Sequence, residues 1–146
     1  MFTQPQLERI ARSVAASRGL DPALVCALCH HESENWQQFA VRYEHGYYER
    51  YVSTMTGLTP TEMQMRATSF GLMQVMGQTA REFGFTGQFL TELFEPETCV
   101  RFGCAKLKRE LEKSGGDVRK ALLGYNGGGD ASYPDKVLQH YARYKQ

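Results

Sequence analysis

Apolar positions recur every three or four residues along most of the chain, which is the spacing of one face of an α-helix. Proline stands in several first turns, Asp21 and Asp117 stand where an N-cap is expected, and glycines follow the last apolar positions. The predicted helices span about 5–18, 22–35, 60–68 and 78–83, then run from 96 to the glycines at 115–116, from 118 and from about 134. No sustained alternation of period two, repeat or low-complexity tract interrupts them. The pattern therefore predicts a single all-α domain over residues 1–146.

The segment between the second and third predicted helices has no regular period. Residues 36–56 hold Trp36 and several tyrosines but show neither a helical nor an alternating pattern. After them, Thr59 and Glu62 have the spacing of a capping box, in which each side chain bonds to the other residue's backbone. The pattern thus assigns a helix start to Thr59 and no element to the segment before it.

The composition supports one hydrophobic core. The chain has 146 residues, 42% hydrophobic and 12% aromatic, and a domain of this size buries roughly 70% of its unfolded surface. No apolar stretch approaches the ~20 residues that span a bilayer. The amino end is polar and amphipathic, so we expect synthesis in the cytoplasm without a signal peptide.

The net charge hides an uneven distribution. Seventeen basic and 16 acidic residues give a formal charge of +1, which argues against a dedicated nucleic-acid partner. Residues 1–100 hold 7 Lys or Arg against 11 Asp or Glu, whereas residues 101–146 hold 10 against 5. The basic carboxyl-terminal segment is either the solvated face of amphipathic helices or a surface attracted to an anionic envelope polymer or membrane.

Four cysteines and a His-His-Glu sequence raise the question of a metal site. The second cysteine pair is spaced by five residues, or about 500° around a helix, so its thiols point apart. Buried core thiols are the favoured interpretation, and a four-cysteine metal site is the alternative. A zinc-protease motif would need a histidine four residues after His31, where Asn35 stands, and the Cys-x-x-Cys of a zinc deaminase would follow the histidine instead of preceding it. We expect no metal and no cofactor. The cysteines are Cys26, Cys29, Cys99 and Cys104.

Glu32 is the main candidate for acid–base chemistry. It follows Val25, Leu28 and Cys29 by seven, four and three residues, which places it at the edge of the buried helix face, where desolvation raises the pKa of a carboxyl group. Glu34 lies about 200° away around a helix, so only one of the two acids is expected to face a common site. A salt-bridged glutamate at a helix end is the alternative interpretation.

Two later motifs have the residue types of a ligand-binding cleft. Residues 71–74, G-L-M-Q, join a glycine that lets backbone approach a ligand to an amide suited to hydroxyl recognition. Residues 124–129, G-Y-N-G-G-G, end a helix with a phenol and an amide that can position a carboxyl group and bond a sugar. Each motif alone is also typical of an ordinary helix corner or cap.

In the order E-S, G-L-M-Q and Y-N-G-G, these motifs make residues 20–130 resemble the soluble lytic transglycosylase family, which has a goose-type-lysozyme-like fold. The resemblance implies a helical domain that cleaves the β-1,4 bond between N-acetylmuramic acid (MurNAc) and N-acetylglucosamine (GlcNAc) in peptidoglycan without a metal. By this resemblance Glu32 matches the catalytic acid and base, and Tyr125 matches the tyrosine that holds its carboxyl group. The matching substrate-binding residues are Ser33, Gly71, Leu72, Met73, Gln74 and Asn126.

The chain departs from the family pattern in three places. Gly124 replaces the alanine usual before the tyrosine, Thr68-Ser69 replaces the usual Gly-Ala before G-L-M-Q, and the gap between the two first motifs is longer than typical. Residues 39–51 in that gap are similar to inserts of phage and prophage members, which suggests phage lysis or infection as the setting.

The longer gap contains a possible second acid. Glu44, beside Tyr43, either reaches the cleft and assists catalysis or sugar binding, or forms a surface pair with Arg42 or Arg50. Tyr43 is expected to contact substrate, and Trp36 either stacks on a sugar or belongs to the core.

Three functions compete on these grounds. A lytic transglycosylase is preferred, a muramidase that uses water is the first alternative, and a non-catalytic peptidoglycan-binding module is the second. In each case the expected partner is a peptidoglycan glycan strand, and the protein is expected to be a monomer. Without a signal peptide it would reach the cell wall through a holin, a virion or a secretion apparatus.

Overall fold

The fold is mostly helical, as the sequence pattern predicts. The computed structural model of the chain describes residues 1–145, and among them no helix has both the length and the apolar character needed to cross a membrane. A five-residue π-helix (Tyr48–Val52) and a short 3₁₀ helix (Leu90–Phe94) accompany the α-helices. The α-helices are α1 (Gln4–Ser17), α2 (Pro22–Glu32), α3 (His45–Tyr47), α4 (Pro60–Arg66), α5 (Gly77–Glu82), α6 (Pro96–Lys113), α7 (Val118–Tyr125) and α8 (Tyr133–Tyr144).

Helix α2 is the centre of the core. It packs against α1 and α8, while α6 packs against α1 and α7. The predicted apolar row of α2 is confirmed, but every residue from Ala23 to His30 is buried, so α2 is enclosed on all sides instead of having one exposed face. A helix held in this way gives the residues at its end a fixed position, because its neighbours prevent it from moving.

The four cysteines are buried core thiols. All are free, and burial raises the pKa of Cys26 to about 12 and that of Cys99 to about 11, so they stay protonated at neutral pH. Within residues 1–145 no three side chains of His, Cys, Asp or Glu are grouped closely enough to hold a metal ion. The interpretation as core thiols is confirmed.

Local caps explain where several helices begin. The Asp21 carboxylate accepts a hydrogen bond of 2.9 Å from the backbone two residues on, and Thr59 Oγ1 accepts one of 3.1 Å from the Glu62 amide. The second half of the predicted capping box does not form. The Glu62 carboxylate instead binds Arg66 and Arg81 at 2.8–3.0 Å, because two guanidinium groups within reach compete better than one backbone amide.

Three short strands form an antiparallel sheet that the sequence pattern did not predict. The strands are β1 (Val41–Tyr43), β2 (Thr68–Phe70) and β3 (Val75–Met76), in that order across the sheet. Arg42 pairs with Ser69, and Ser69 pairs with Met76, so these three side chains form one row across the sheet. The neighbouring row includes Phe70 and Val75, which are buried in the core, as the alternation of side chains in a strand requires.

The chain turns sharply where α2 ends. The helix ends at Glu32, earlier than the predicted residue 35, and Glu34, Asn35 and Trp36 then have φ values of 50°, 69° and 67°. Residues other than glycine rarely adopt this left-handed region of backbone conformation. Such backbone strain clusters at functional sites, and here it redirects the chain immediately after the candidate acid.

Candidate active site

Two adjoining cavities form a cleft across the end of α2. Their volumes are about 360 Å³ and 740 Å³, and the residues common to both mark where they meet. The cleft therefore has room for a ligand that extends to both sides of the α2 end. The residues common to both cavities are Glu32, Arg42, Gln74 and Asn126.

Elements from the whole chain build the walls of this cleft. The row of the sheet formed by Arg42, Ser69 and Met76 lines the smaller cavity, and Lys106 of α6 lies in the same cavity. Glu34 and Tyr133 line the larger cavity. Glu34 and Glu32 thus share a cavity, contrary to the expectation from helical geometry, because α2 has already ended before residue 34.

Glu32 is a carboxyl group with a raised pKa. Burial raises its pKa above the ordinary value, while the Tyr133 hydroxyl and the charges of Lys106 and Arg42 lower it by smaller amounts. Tyr133 Oη donates a short hydrogen bond to Glu32 Oε1, which leaves Oε2 for contact with a ligand. The carboxyl group is held in one orientation, and burial shifts its pKa in the direction that suits a general acid.

The tyrosine that holds Glu32 is Tyr133 and not Tyr125. The Tyr125 hydroxyl donates a bond of 2.7 Å to the Met73 carbonyl oxygen, which ties the end of α7 to the G-L-M-Q strip. Tyr125 is buried and contributes to the smaller cavity. The role expected for Tyr125 from the family pattern is therefore filled by a residue on α8, 101 positions after Glu32.

Of the G-L-M-Q strip, the Gln74 side chain lines the cleft. Its Nε2 donates to the carbonyl oxygens of Ala40 and Gly71, which leaves Oε1 to accept from a ligand hydroxyl. Leu72 and Met73 are fully buried and pack in the core instead of lining either cavity. The G-L-M-Q strip therefore places the Gln74 amide where the two cavities meet, and the buried side chains of Leu72 and Met73 hold it there.

Gly71 is required by space as well as by conformation. Its φ is 74°, and a Cβ atom there would lie 2.9 Å from both Cys99 Sγ and the Leu93 carbonyl oxygen. Gly71 N–H donates to the Ala40 carbonyl oxygen at 2.8 Å, which joins the strip to the residue before β1. Its role is to permit this close packing rather than to contact a ligand directly.

Ser33 and Asn126 differ in their placement. Ser33 is fully buried, and its hydroxyl donates to the Cys29 carbonyl oxygen at 2.5 Å, so it caps the last turn of α2 instead of facing the cleft. Asn126 is the C-cap of α7 and lines both cavities. Of the two expected substrate contacts, the asparagine is in the cleft and the serine is not.

Glu44 has both of the placements that the sequence left open, at the cleft and in a pair with an arginine. It pairs with Arg42 at 2.9 Å and also lines the same cavity as Glu32. Tyr43 is 46% exposed and is not among the residues that line the two cavities, whereas Tyr47 lines the smaller one. Trp36 is buried and donates to the Tyr144 hydroxyl at 2.7 Å, so it belongs to the core.

Sequence reasoning missed several residues of the cleft. Tyr133 begins α8, one position before the residue at which the pattern starts that helix, and nothing local marks its contact with Glu32. Lys106 resembles any lysine of an amphipathic helix. Arg42, Ser69 and Met76 enter the cleft through strand pairing, and strands of two or three residues are too short to show an alternating pattern.

A partly buried acid at the middle of a two-sided cleft, on a helical scaffold, is an arrangement that suits acid-catalysed cleavage of a glycan. The family model described as "Transglycosylase SLT domain" matches residues 9–143. The chain therefore belongs to the transglycosylase SLT domain family.

A phage protein supports the same assignment. The chain is 35% identical over 80 residues to a protein of Enterobacteria phage PRD1 named "Transglycosylase". The match covers 49% of this chain and 28% of the phage protein, so the chain spans little more than a quarter of that relative. No solved structure matches the chain.

Proposed function

We propose that this chain is the catalytic domain of a lytic transglycosylase, which cleaves the MurNAc-β-1,4-GlcNAc bond of peptidoglycan and leaves a 1,6-anhydro-MurNAc end. The observation that carries the proposal is Glu32, a carboxyl group with a raised pKa at the meeting point of two cavities and held by Tyr133. A glycosidic bond has a sugar on each side, and this acid has a cavity on each side.

In the first step Glu32 acts as an acid. It gives its proton to the glycosidic oxygen, the C1–O bond breaks, and GlcNAc leaves with that proton as a new hydroxyl group. Positive charge then develops at C1 of MurNAc while Glu32 becomes a carboxylate. The Tyr133 hydroxyl stabilises this carboxylate by donating to Oε1.

In the second step the same residue acts as a base. The carboxylate takes the proton of the MurNAc C6 hydroxyl, and the C6 oxygen forms a bond to C1, which closes the 1,6-anhydro ring. Glu32 ends as it began, and no water is consumed. One carboxyl group therefore suffices, whereas hydrolases of most families use two.

Mass spectrometry of digested cell-wall sacculi tests this proposal. We expect muropeptides with anhydro ends, each lighter by one water than the hydrolytic product. Glu32→Gln should abolish release while the fold is retained, because an amide is too weak an acid to protonate the glycosidic oxygen. Glu112→Gln on the exposed face of α6 is the matched control and should cleave normally. Wild-type activity of Glu32→Gln would refute the assignment of the acid.

A muramidase is the second candidate, and Glu44 is the observation that favours it. Glu44 lines the same cavity as Glu32, which supports a role for it in activating water or stabilising charge at C1. Digestion in ¹⁸O-labelled water distinguishes the two reactions, since only hydrolysis adds ¹⁸O to the new reducing end. If Glu44→Gln removes label while the anhydro product persists, Glu44 supports a hydrolytic side reaction; unchanged turnover and product would exclude a role for it.

The proposal extends to the state and setting of the protein. Residues 1–146 are proposed to act as one catalytic domain and as a monomer, because both walls of the cleft come from the same chain. The substrate is a peptidoglycan strand, so the site of action is the cell wall. The relative in a phage supports lysis or infection as the setting, with delivery by a holin, a virion or a secretion apparatus.

A further inference from the structure

Lys106 is a cation enclosed in the cleft. It lies on α6, is partly buried, and lines the smaller cavity together with Glu32 and Tyr125. Its Nζ donates a hydrogen bond of 2.8 Å to the Tyr125 carbonyl oxygen and lies 4.3 Å from the centre of the Tyr125 ring. Lysines of surface helices ordinarily extend their ammonium groups into water. Here the group is fixed by two contacts to a residue of the cleft.

Glu110 supports this placement from one turn further along α6. Its carboxylate is buried, and its charge favours the charged form of Lys106. It also fills the space that a side chain at position 124 would need, since a Cβ atom on Gly124 would lie 2.2 Å from Glu110 Oε2. The glycine that replaces the family's usual alanine thus makes room for the glutamate behind the lysine.

We propose that Lys106 is a positioning residue of the reaction, whose fixed ammonium stabilises the carboxylate that Glu32 becomes after giving up its proton. The inference rests on the proposed role of Glu32 as acid and then base. Creating a carboxylate in a buried site is costly unless a charge of opposite sign is already in place. Lys106 provides that charge without the reorganisation that water would need.

Several other groups act on Glu32 from the elements packed around it. Tyr133 of α8 and Arg42 of β1 also favour its carboxylate form. Arg42 differs from Lys106 because its side chain is 73% exposed and already paired with Glu44 at 2.9 Å, so both water and that pair weaken its effect. Lys106 is the less exposed of the two cations.

The surroundings of Lys106 act on its charge in opposite directions. Burial has the largest effect and lowers the pKa of Lys106 below its ordinary value; the carboxylates of Glu32 and Glu110 oppose this shift, and the neighbouring Arg109 adds to it. Glu110 is itself 3.7 Å from the ammonium of Lys113, which faces solvent. Two acids therefore favour the charged form of Lys106, and one of them, Glu32, changes its charge in the proposed reaction.

A carboxyl ¹³C NMR titration of the substrate-free protein tests the inference directly. The Glu32 signal is assigned by its loss in Glu32→Gln. We expect its midpoint to move to higher pH in Lys106→Met, which keeps an apolar stem of similar length but removes the charge. Lys106→Arg should keep the midpoint close to that of the wild type. Lys108→Met, an exposed lysine two positions on along α6, is the matched control and should leave it unchanged.

The pH dependence of cleavage provides the second measurement. Glu32 must be protonated to donate, so the rate falls as pH rises through its pKa, and this alkaline limb should move to higher pH in Lys106→Met. An unchanged Glu32 midpoint in a folded Lys106→Met protein overturns the inference, even if activity falls, because Lys106 would then only support Tyr125. If Lys106→Met does not fold, Lys106→Gln makes the same test. If the wild-type protein cleaves nothing and the Glu32 midpoint still shifts in Lys106→Met, the proposed function is refuted and the electrostatic role of Lys106 stands.

Discussion

Replacing Tyr133 by phenylalanine removes one hydroxyl group from the cleft and little else. That hydroxyl donates to Glu32 Oε1, and the ring remains buried against the same neighbours, including the edge of the His31 ring at 5.2 Å between centroids. In the proposed mechanism, Glu32 is protonated before the first step and gains negative charge as it gives up its proton. The hydrogen bond is therefore stronger in the transition state than in the ground state, which is the condition for an effect on kcat.

The size of the effect follows from the kind of hydrogen bond. A bond to a charged group contributes about 1.5–3 kcal/mol, and each 1.36 kcal/mol changes a rate tenfold, so Tyr133→Phe should lower kcat by about 10- to 150-fold. The same change raises the pKa of Glu32, because the hydroxyl stabilises the carboxylate. The alkaline limb of the pH–rate profile should move to higher pH accordingly.

Release of soluble fragments from sacculi, followed over pH 5–9, measures both effects. Tyr141→Phe is the matched control: it removes another hydroxyl of α8 that donates to a carboxylate, that of Asp21, outside the cleft. It should cleave at the wild-type rate. If Tyr133→Phe folds and its kcat falls less than about threefold with an unmoved alkaline limb, the hydroxyl does not stabilise the reacting carboxylate and the reasoning fails.

Three further predictions concern the scaffold and the surface. Gly71→Ala should lower the free energy of unfolding by about 1–3 kcal/mol more than Gly19→Ala, as measured by urea denaturation; both glycines have φ above 70°, but only the added Cβ at 71 meets a neighbour, the Leu93 carbonyl oxygen at 2.9 Å. Burial lowers the pKa of His30 and of His140, whose rings stack at 4.0 Å. The stability they contribute is therefore present above their unfolded pKa of about 6.5 and lost as pH falls below it. His140→Gln should flatten the decline in the free energy of unfolding between pH 7.5 and 5.5, and an equally steep decline would contradict this. If the basic carboxyl-terminal segment helps to bind the anionic envelope, activity on sacculi should fall with rising salt while cleavage of a short neutral glycan does not. Equal salt dependence of the two activities would mean that the basic residues are only the solvated faces of helices.

The helices could be predicted because their signals are local. A cap such as Asp21 acts within two or three residues, and an apolar row such as that of α2 consists of residues three or four positions apart in the sequence. The three-stranded sheet had no such signal, since β1 and β2 are three residues each and pair across a gap of more than 20 residues. The prediction that Glu62 completes a capping box with Thr59 was wrong for the same reason, since Arg81, distant in sequence, binds the Glu62 carboxylate instead.

The site was predicted in part. The position of Glu32 follows from the helix that carries it, and the raised pKa follows from its place at the edge of the buried face. Its partner Tyr133 is 101 residues away, and the G-L-M-Q motif does not reveal that Gln74 faces the cleft while Leu72 and Met73 are buried. Such contacts depend on how elements pack, which no single segment records.

The segment between β1 and α4 contributes to the cleft but contains neither residue of the proposed acid–base pair. Residues 44–59 leave the scaffold and return to it with Val52 as their buried residue, yet they bring Glu44 and Tyr47 to the cleft wall. Glu32 and Tyr133 lie outside this segment, on the helices that form the core. Substitutions in residues 44–59 are therefore expected to change what the cleft contacts without moving Glu32 or Tyr133. Under the proposed function, substrate preference is free to diverge through this segment while the acid–base pair stays the same.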